Sequence, residues 1–261
     1  MILPGVAVPR VMTPRTTAAA FAVALASIAC GSTPTTPILR PRLGVTRILA
    51  FGDSLTDGGA TPSGFHTFFV HPTDDPGVAK GYPYKLLTLL SERYADQPIQ
   101  VYNGGYGGRS AADDALGKPD RTLAEFLDAF QPDLMILMHG ANDLNQGAAP
   151  NVDTIAGYVG LLTAQAQAHG TAVIVSSLPP RIPGGSPNRA QNPEFVAPYN
   201  AALAAMAASR GAPYVDVYSP MIANLAGPDI APDGLHLTEA GNDKLAALYF
   251  AMLRRLYEIN R

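Results

Sequence analysis

Apolar runs with the period of a strand and runs with the period of a helix take turns along this chain. That alternation restricts the fold more than any other feature. Residues 45–51, 99–102, 134–138, 171–177 and 213–218 read as strands. Residues 83–94, 122–130, 153–169, 199–210 and 238–260 carry helical spacing. Leu86, Leu87, Leu89 and Leu90 mark the packing side of the first helix, with Pro83 near its start, where proline is tolerated. Gly170 suits a C-terminal cap and Thr238 an N-cap. Repeated strand–helix alternation implies a parallel sheet with right-handed crossovers and helices on both faces, in doubly wound order. The sequence shows no internal repeat and no second domain.

At 261 residues, 47% of them hydrophobic, the chain is long enough for a substantial core. Its formal charge of -3 hides an asymmetry, because Arg10, Arg15, Arg40 and Arg42 fall in the first 43 residues, which hold no acid. The remainder has 14 basic against 21 acidic residues, and no basic cluster of the kind that binds nucleic acid.

Residues 1–30 read as an export signal: Arg10 and Arg15 precede an apolar run, 18–29, too short to span a bilayer. The only cysteine, Cys30, closes that run and is followed by a Pro/Thr-rich tether over 31–43. It resembles the lipid-attachment cysteine of bacterial lipoproteins, with Ile28 and Ala29 in keeping and Ser27 where Leu is usual. Lipidation at Cys30 and cleavage close by are the two outcomes that fit. Either makes an exported domain of residues 44–261, anchored to the cell envelope or secreted, without an intramolecular disulfide.

In open α/β sheets ligands bind beyond the carboxyl ends of the strands. Four such ends carry reactive or donor groups here. Ser54 follows the first strand in Ile48-Leu-Ala-Phe-Gly-Asp-Ser54; taken alone, the stretch fits a plain turn as well as a nucleophile's seat. Gly108 ends Asn103-Gly-Gly-Tyr-Gly-Gly108 after the second strand. Asn142 follows the third, and Asp233-Gly-Leu-His236 follows the fifth. A serine hydroxyl needs an adjacent base, which His236 can be, and Asp233 is close enough in sequence to fix its tautomer. An oxyanion formed on attack at an ester carbonyl would find donors in the backbone N–H of Ser54 and of Gly108 and in the Asn142 amide.

Gly52-Asp53-Ser54-Leu55, Gly108, Gly140-Ala141-Asn142-Asp143 and Asp233-Gly-Leu-His236 together resemble the four motif blocks of the GDSL or SGNH hydrolases, in order, over about residue 45 to the C-terminus. The resemblance implies a flavodoxin-like three-layer α/β/α sandwich with a five-stranded parallel sheet. It also implies hydrolysis of carboxylic esters through an acyl-enzyme, by Ser54, His236 and Asp233, with Ser54, Gly108 and Asn142 as the oxyanion hole. The second block departs from the pattern in having Gly104, Gly105, Gly107 and Gly108, so Gly107 is the alternative donor.

Residues 58–81 and 179–198 read as long irregular loops. The first holds Phe65, Phe68 and Phe69, expected to wall an acyl pocket, and His66, His71, Asp74 and Asp75, whose spacing fits no metal site. His139 is expected to be a hydrogen-bonded histidine beside the sheet, Asp57 a turn residue, and Lys80, Lys85 and Arg93 solvated. A nucleotide site is disfavoured: Gly105-Tyr-Gly-Gly-Arg-Ser110 lacks the third glycine of the dinucleotide fingerprint and follows the wrong strand. The α/β-hydrolase signature Gly-x-Ser-x-Gly is absent. The expectation is a monomer acting on a small-molecule ester without cofactor or metal. Acyl esters are the first substrate class expected, since the aromatic insert leans towards apolar acyl chains, O-acetylated sugars are the alternative, and a binding protein that kept the scaffold is the rival of another kind.

Overall fold

Burial on both faces defines the central strands. After a three-residue strand, β1 (Pro41–Leu43), comes β2 (Arg47–Gly52), in which Ile48, Leu49, Ala50 and Phe51 are sealed from solvent. Cutting Ile48 or Leu49 back to alanine would cost about 2–5 kcal/mol. β4 (Gln100–Gly105) lies parallel to β2 on one side and β5 (Leu134–Met138) on the other. β6 (Ala172–Ser176) and the short β7 (Tyr214–Val215) continue the parallel sheet. The order β4-β2-β5-β6-β7 is flavodoxin-like, and the connections change direction at β2. A short β3 (Phe69–Val70) adds an antiparallel edge beside β4, inside a stretch that reads as loop. The computed structural model describes residues 40–58, 69–70, 81–118 and 122–260, all within the unit Leu39–Arg261.

The sandwich is completed by α2 (Tyr82–Arg93) and α8 (Glu239–Tyr257), packed together, and by α4 (Leu123–Phe130), α5 (Val152–Ala168) and α6 (Val196–Ser209), grouped around α5. Three short helices, α1 (Ser54–Asp57), α3 (Ala111–Ala115) and α7 (Tyr218–Ile222), fall in stretches without helical spacing in the sequence. Caps set several ends. Thr122 and Glu125 form a reciprocal capping box on α4, and Thr238 accepts from the Gly241 N–H at the start of α8 as expected.

Four expectations need correction. The last helix stops at Tyr257 instead of 260, and Glu258–Asn260 (β8) pairs antiparallel with β1. The end of the supposed tether is therefore part of the fold: Leu43 is buried, and the Gln97 amide both accepts from its N–H and donates to its carbonyl. Arg93 is not simply solvated but donates twice to Glu258, at 2.6 and 2.8 Å, while the Tyr94 hydroxyl donates at 2.6 Å. Those bonds, Arg93's foremost, outweigh burial and pull the Glu258 carboxyl down to about 2. Lys85, also expected in solvent, is paired with Asp243 at 2.7 Å and Glu239 at 3.3 Å.

Candidate active site

The turn after β2 opens directly into α1, whose first residue is Ser54, so the Ser54 N–H has no acceptor within the helix. The preceding Asp53 is wholly buried; one carboxylate oxygen accepts from the Leu55 N–H at 3.0 Å and the other from Ala141 N–H at 3.1 Å. It thereby ties the Ser54 turn to the loop after β5. Asp143 performs the same service between that loop and the loop after β4, accepting from Ala111 N–H at 2.7 Å and Ala112 N–H at 3.1 Å.

The loop after β4 closes on itself through a bond from Arg109 N–H to the Tyr106 carbonyl. Gly107 and Gly108 are the middle residues of that turn. Gly108 has φ +82°, the left-handed region that the third position of a type II turn requires. A side-chain carbon on Gly107 would lie 3.9 Å from Ser54 Cβ, so the turn abuts the serine. Asn142 donates one amide hydrogen to the Arg109 carbonyl at 2.7 Å, which fixes the amide and leaves its second hydrogen for a ligand.

The loop before α8 supplies the remaining groups. Asp233 Oδ1 accepts from the N–H of Leu235 at 3.0 Å and of His236 at 2.9 Å, while Oδ2 lies 2.5 Å from His236 Nδ1. Burial pushes the Asp233 carboxyl up, but these bonds outweigh it and hold the group below the usual carboxylate range. His236 Nε2 is 2.9 Å from Ser54 Oγ. The three side chains form one hydrogen-bonded line from a carboxylate to a hydroxyl. Such a line can pass the serine proton to the imidazole and stabilise the resulting cation.

Ser54, Gly107, Gly108, Asn142, Leu235 and His236 share an open cleft of about 470 Å³, whose far wall is Asn145, Asn188, Arg189 and Gln191. Asn188, Arg189 and Gln191 had no signal in the sequence beyond being isolated polar residues in a Pro-rich loop, and Asn145 none beyond its place two residues after Asp143. The wall is organised by buried Arg181, which donates to the Ala141 carbonyl at 2.5 Å, the Gln191 carbonyl at 2.5 Å and Asn145 Oδ1 at 2.6 Å. Burial draws the Arg181 guanidinium down to about 10, still charged at neutral pH. His139 is buried and hydrogen-bonded, as expected, and Asp57 ends α1. Of the expected acyl wall, Phe69 lies in β3, whereas Phe65 and Phe68 lie outside the described residues, as do His66, His71, Asp74, Asp75, Lys80 and Cys30. Among the described residues no cluster of His, Cys, Asp and Glu could hold a metal ion.

Fold and cleft together define an α/β sandwich with a serine, a histidine and an aspartate at the carboxyl edge of its sheet. The sequence model of the GDSL-like lipase/acylhydrolase family matches residues 50–244, more than half of the chain, so this protein belongs to that family of ester hydrolases. No curated protein matches the sequence. Solved structures with the same fold include an acetylxylan esterase from Geobacillus stearothermophilus, in a catalytic mutant with serine replaced by alanine (TM-score 0.64, 21% identity, 81% of this chain and 95% of that one). A lipase/acylhydrolase from Enterococcus faecalis aligns with TM-score 0.61 at 20% identity, over 83% of this chain and 99% of the other. A GDSL-like lipase from Bacteroides thetaiotaomicron gives 0.59 at 21%, over 80% and 88%.

Proposed function

We propose that this protein is a serine esterase that cleaves carboxylic esters through an acyl-enzyme. The observation that carries the reading is the unbroken line from Asp233 through His236 to Ser54, with spacings of 2.5 and 2.9 Å, opening into the cleft that Gly108 and Asn142 also line. His236 takes the Ser54 proton as Oγ attacks the carbonyl, and Asp233 holds the ring with Nδ1 protonated. The oxyanion is met by the N–H of Ser54, the N–H of Gly108 and the Asn142 amide. His236 then protonates the departing alkoxide, and water repeats the sequence to release the acid.

A polar alcohol on the leaving side is favoured by the wall of Asn145, Asn188, Arg189 and Gln191, which presents amides and a guanidinium where a sugar would lie. Acetylated carbohydrate is therefore the preferred substrate class, and the acetylxylan esterase that shares the fold is in keeping with it. An acyl wall from Phe65, Phe68 and Phe69 would favour longer aliphatic esters instead. Export, with or without lipid on Cys30, and action as a monomer complete the proposal. Export rests on Arg10 and Arg15 ahead of the apolar run 18–29 and on Cys30 at its end.

The test compares Ser54→Ala with the unaltered protein on acetylated xylooligosaccharides and on acyl esters of rising chain length. The variant should fold and lose at least about 10⁴-fold in kcat. Near-native turnover by both Ser54→Ala and His236→Ala would defeat the reading.

A further inference from the structure

Of the guanidiniums near the cleft, two are committed to the protein itself. Arg181 is buried and donates to the Ala141 and Gln191 carbonyls and to Asn145 Oδ1. Arg109 is buried as well, meeting Asp114 Oδ1 at 3.3 Å and lying over the Tyr106 ring. Arg189 differs from both: its side chain is 59% exposed on the cleft wall and makes no hydrogen bond among the described residues. Its carboxylate neighbour is Asp233, whose Oδ2 lies 4.0 Å from Arg189 Nε, beyond hydrogen-bond distance. That carboxylate is already served by the N–H groups of Leu235 and His236 and by the His236 ring. The guanidinium therefore brings a full charge and a full set of N–H donors to the cleft, with no protein acceptor taking them.

The Arg189 backbone, by contrast, is held at both polar groups. Its N–H donates to the Asp233 carbonyl at 3.1 Å, and its own carbonyl accepts from Asn145 Nδ2 at 3.3 Å. The side chain thus starts from a fixed point beside Asp233. Among the described residues no carboxylate lines the cleft, since Asp53 and Asp143 are buried and bound to backbone N–H groups. A cleft with a cation and no acid departs from the charge of the domain, where 14 basic residues stand against 21 acidic ones over residues 44–261. Its field attracts anions. The position of the guanidinium says which part of a substrate carries the charge. His236 protonates the departing alkoxide, so the alcohol lies against its ring, and Arg189 flanks that ring beside Asp233. The anion accordingly belongs to the alcohol. A planar fork of N–H groups matches a carboxylate in two parallel bonds, and a single cation balances a single charge. Asn188 and Gln191 offer amides to the hydroxyls of the same sugar.

We propose that Arg189 determines specificity by binding the carboxylate of an O-acetylated sugar acid, a uronic acid, so that acidic acetylated glycans are preferred to neutral ones. The proposal rests on the serine-esterase reading of the same cleft.

Its test follows acetate release from an acetylated methyl glucuronoside and from the matching uronamide, which differs in lacking the charge. The unaltered protein should show kcat/KM at least about 10-fold higher for the acid. Arg189→Gln should bring that ratio to within about threefold of unity, and Arg189→Glu should invert it. A merely displaced loop would lower both substrates together and leave the ratio in place. The preference should also shrink as salt is raised from about 0.01 to about 0.5 M. No preference for the acid in the unaltered protein, or a preference that survives in Arg189→Gln, overturns the proposal. A second readout needs no turnover. In Ser54→Ala the Arg189 Nε–H resonance should shift on titration with the acid at concentrations where the uronamide leaves it in place. An equal response to both compounds, or none to the acid, likewise overturns the proposal. Failure to hydrolyse either compound would strike the esterase reading instead, and the resonance would still decide on Arg189. Acetate release surviving in Ser54→Ala would also strike that reading, and the ratio of acid to uronamide would still decide.

Discussion

Replacing Gly185 by alanine should disable the protein without touching any group that reacts. The added carbon would sit 2.4 Å from the Asp233 carbonyl carbon, 2.5 Å from its oxygen and 2.6 Å from the Pro232 oxygen. Carbon atoms rest comfortably at about 3.5–4.0 Å, so one of the two segments must retreat by about 1 Å. Retreat of the 182–189 segment alone is opposed by three backbone bonds that knit it to the Asp233 loop. These run from Ile182 N–H to Gly234 O, from Ser186 N–H to Pro232 O and from Arg189 N–H to Asp233 O. The displacement therefore reaches Asp233 and, through its 2.5 Å bond, the ring of His236. A misplacement of about 1 Å costs on the order of 10²-fold in rate. The assay is kcat/KM on a short-chain ester beside a thermal melt, with Gly157→Ala as control, since that helical position has open space and an ordinary φ. Gly157→Ala should be neutral or stabilising by about 0.4–1 kcal/mol. A folded Gly185→Ala enzyme with kcat/KM within about threefold of the unaltered protein would refute the reasoning.

Asn142→Ala should lower kcat by roughly 10²- to 10³-fold with little change in KM, because its amide is proposed to serve the oxyanion; a change confined to KM would make it a binding residue. Glu258 should contribute an acid-sensitive share of stability. Its carboxyl is lowered from 4.5 to about 2, so the contribution is complete above about pH 4.5 and lost as pH falls through about 2. Melting temperatures of Glu258→Gln and the unaltered protein should accordingly differ most near neutral pH and converge at about pH 2, and a gap that stays constant with pH would contradict the role.

Much of this was legible in the chain, and what was not has identifiable causes. Strand β5 falls exactly within its expected bounds, 134–138, because Pro132 and His139-Gly140 bracket a run that is apolar on both faces. The convergence of Ser54, the Gly107–Gly108 turn, Asn142, Asp233 and His236 was likewise readable, since each follows a strand and a parallel sheet puts such ends on one edge. Pairing of β1 with β8 was hidden because its two partners lie at opposite ends of the chain, and 258–260 continues a helical composition. Arg181, Arg189 and Asp114 were hidden for a different reason. A lone charged residue in a Pro-rich loop or a short helix has no periodic signature, and only the folded chain shows Arg181 buried beneath the cleft wall.

The most direct test of the account is the site of covalent capture by a fluorophosphonate, which reacts with an activated serine as an ester would. Intact mass should rise by one adduct, peptide mapping should place it on Ser54, and His236→Ala should slow its formation by at least about 10³-fold. An adduct at another residue, or equal labelling of the unaltered protein and His236→Ala, would contradict the assignment of Ser54 as a nucleophile activated by His236.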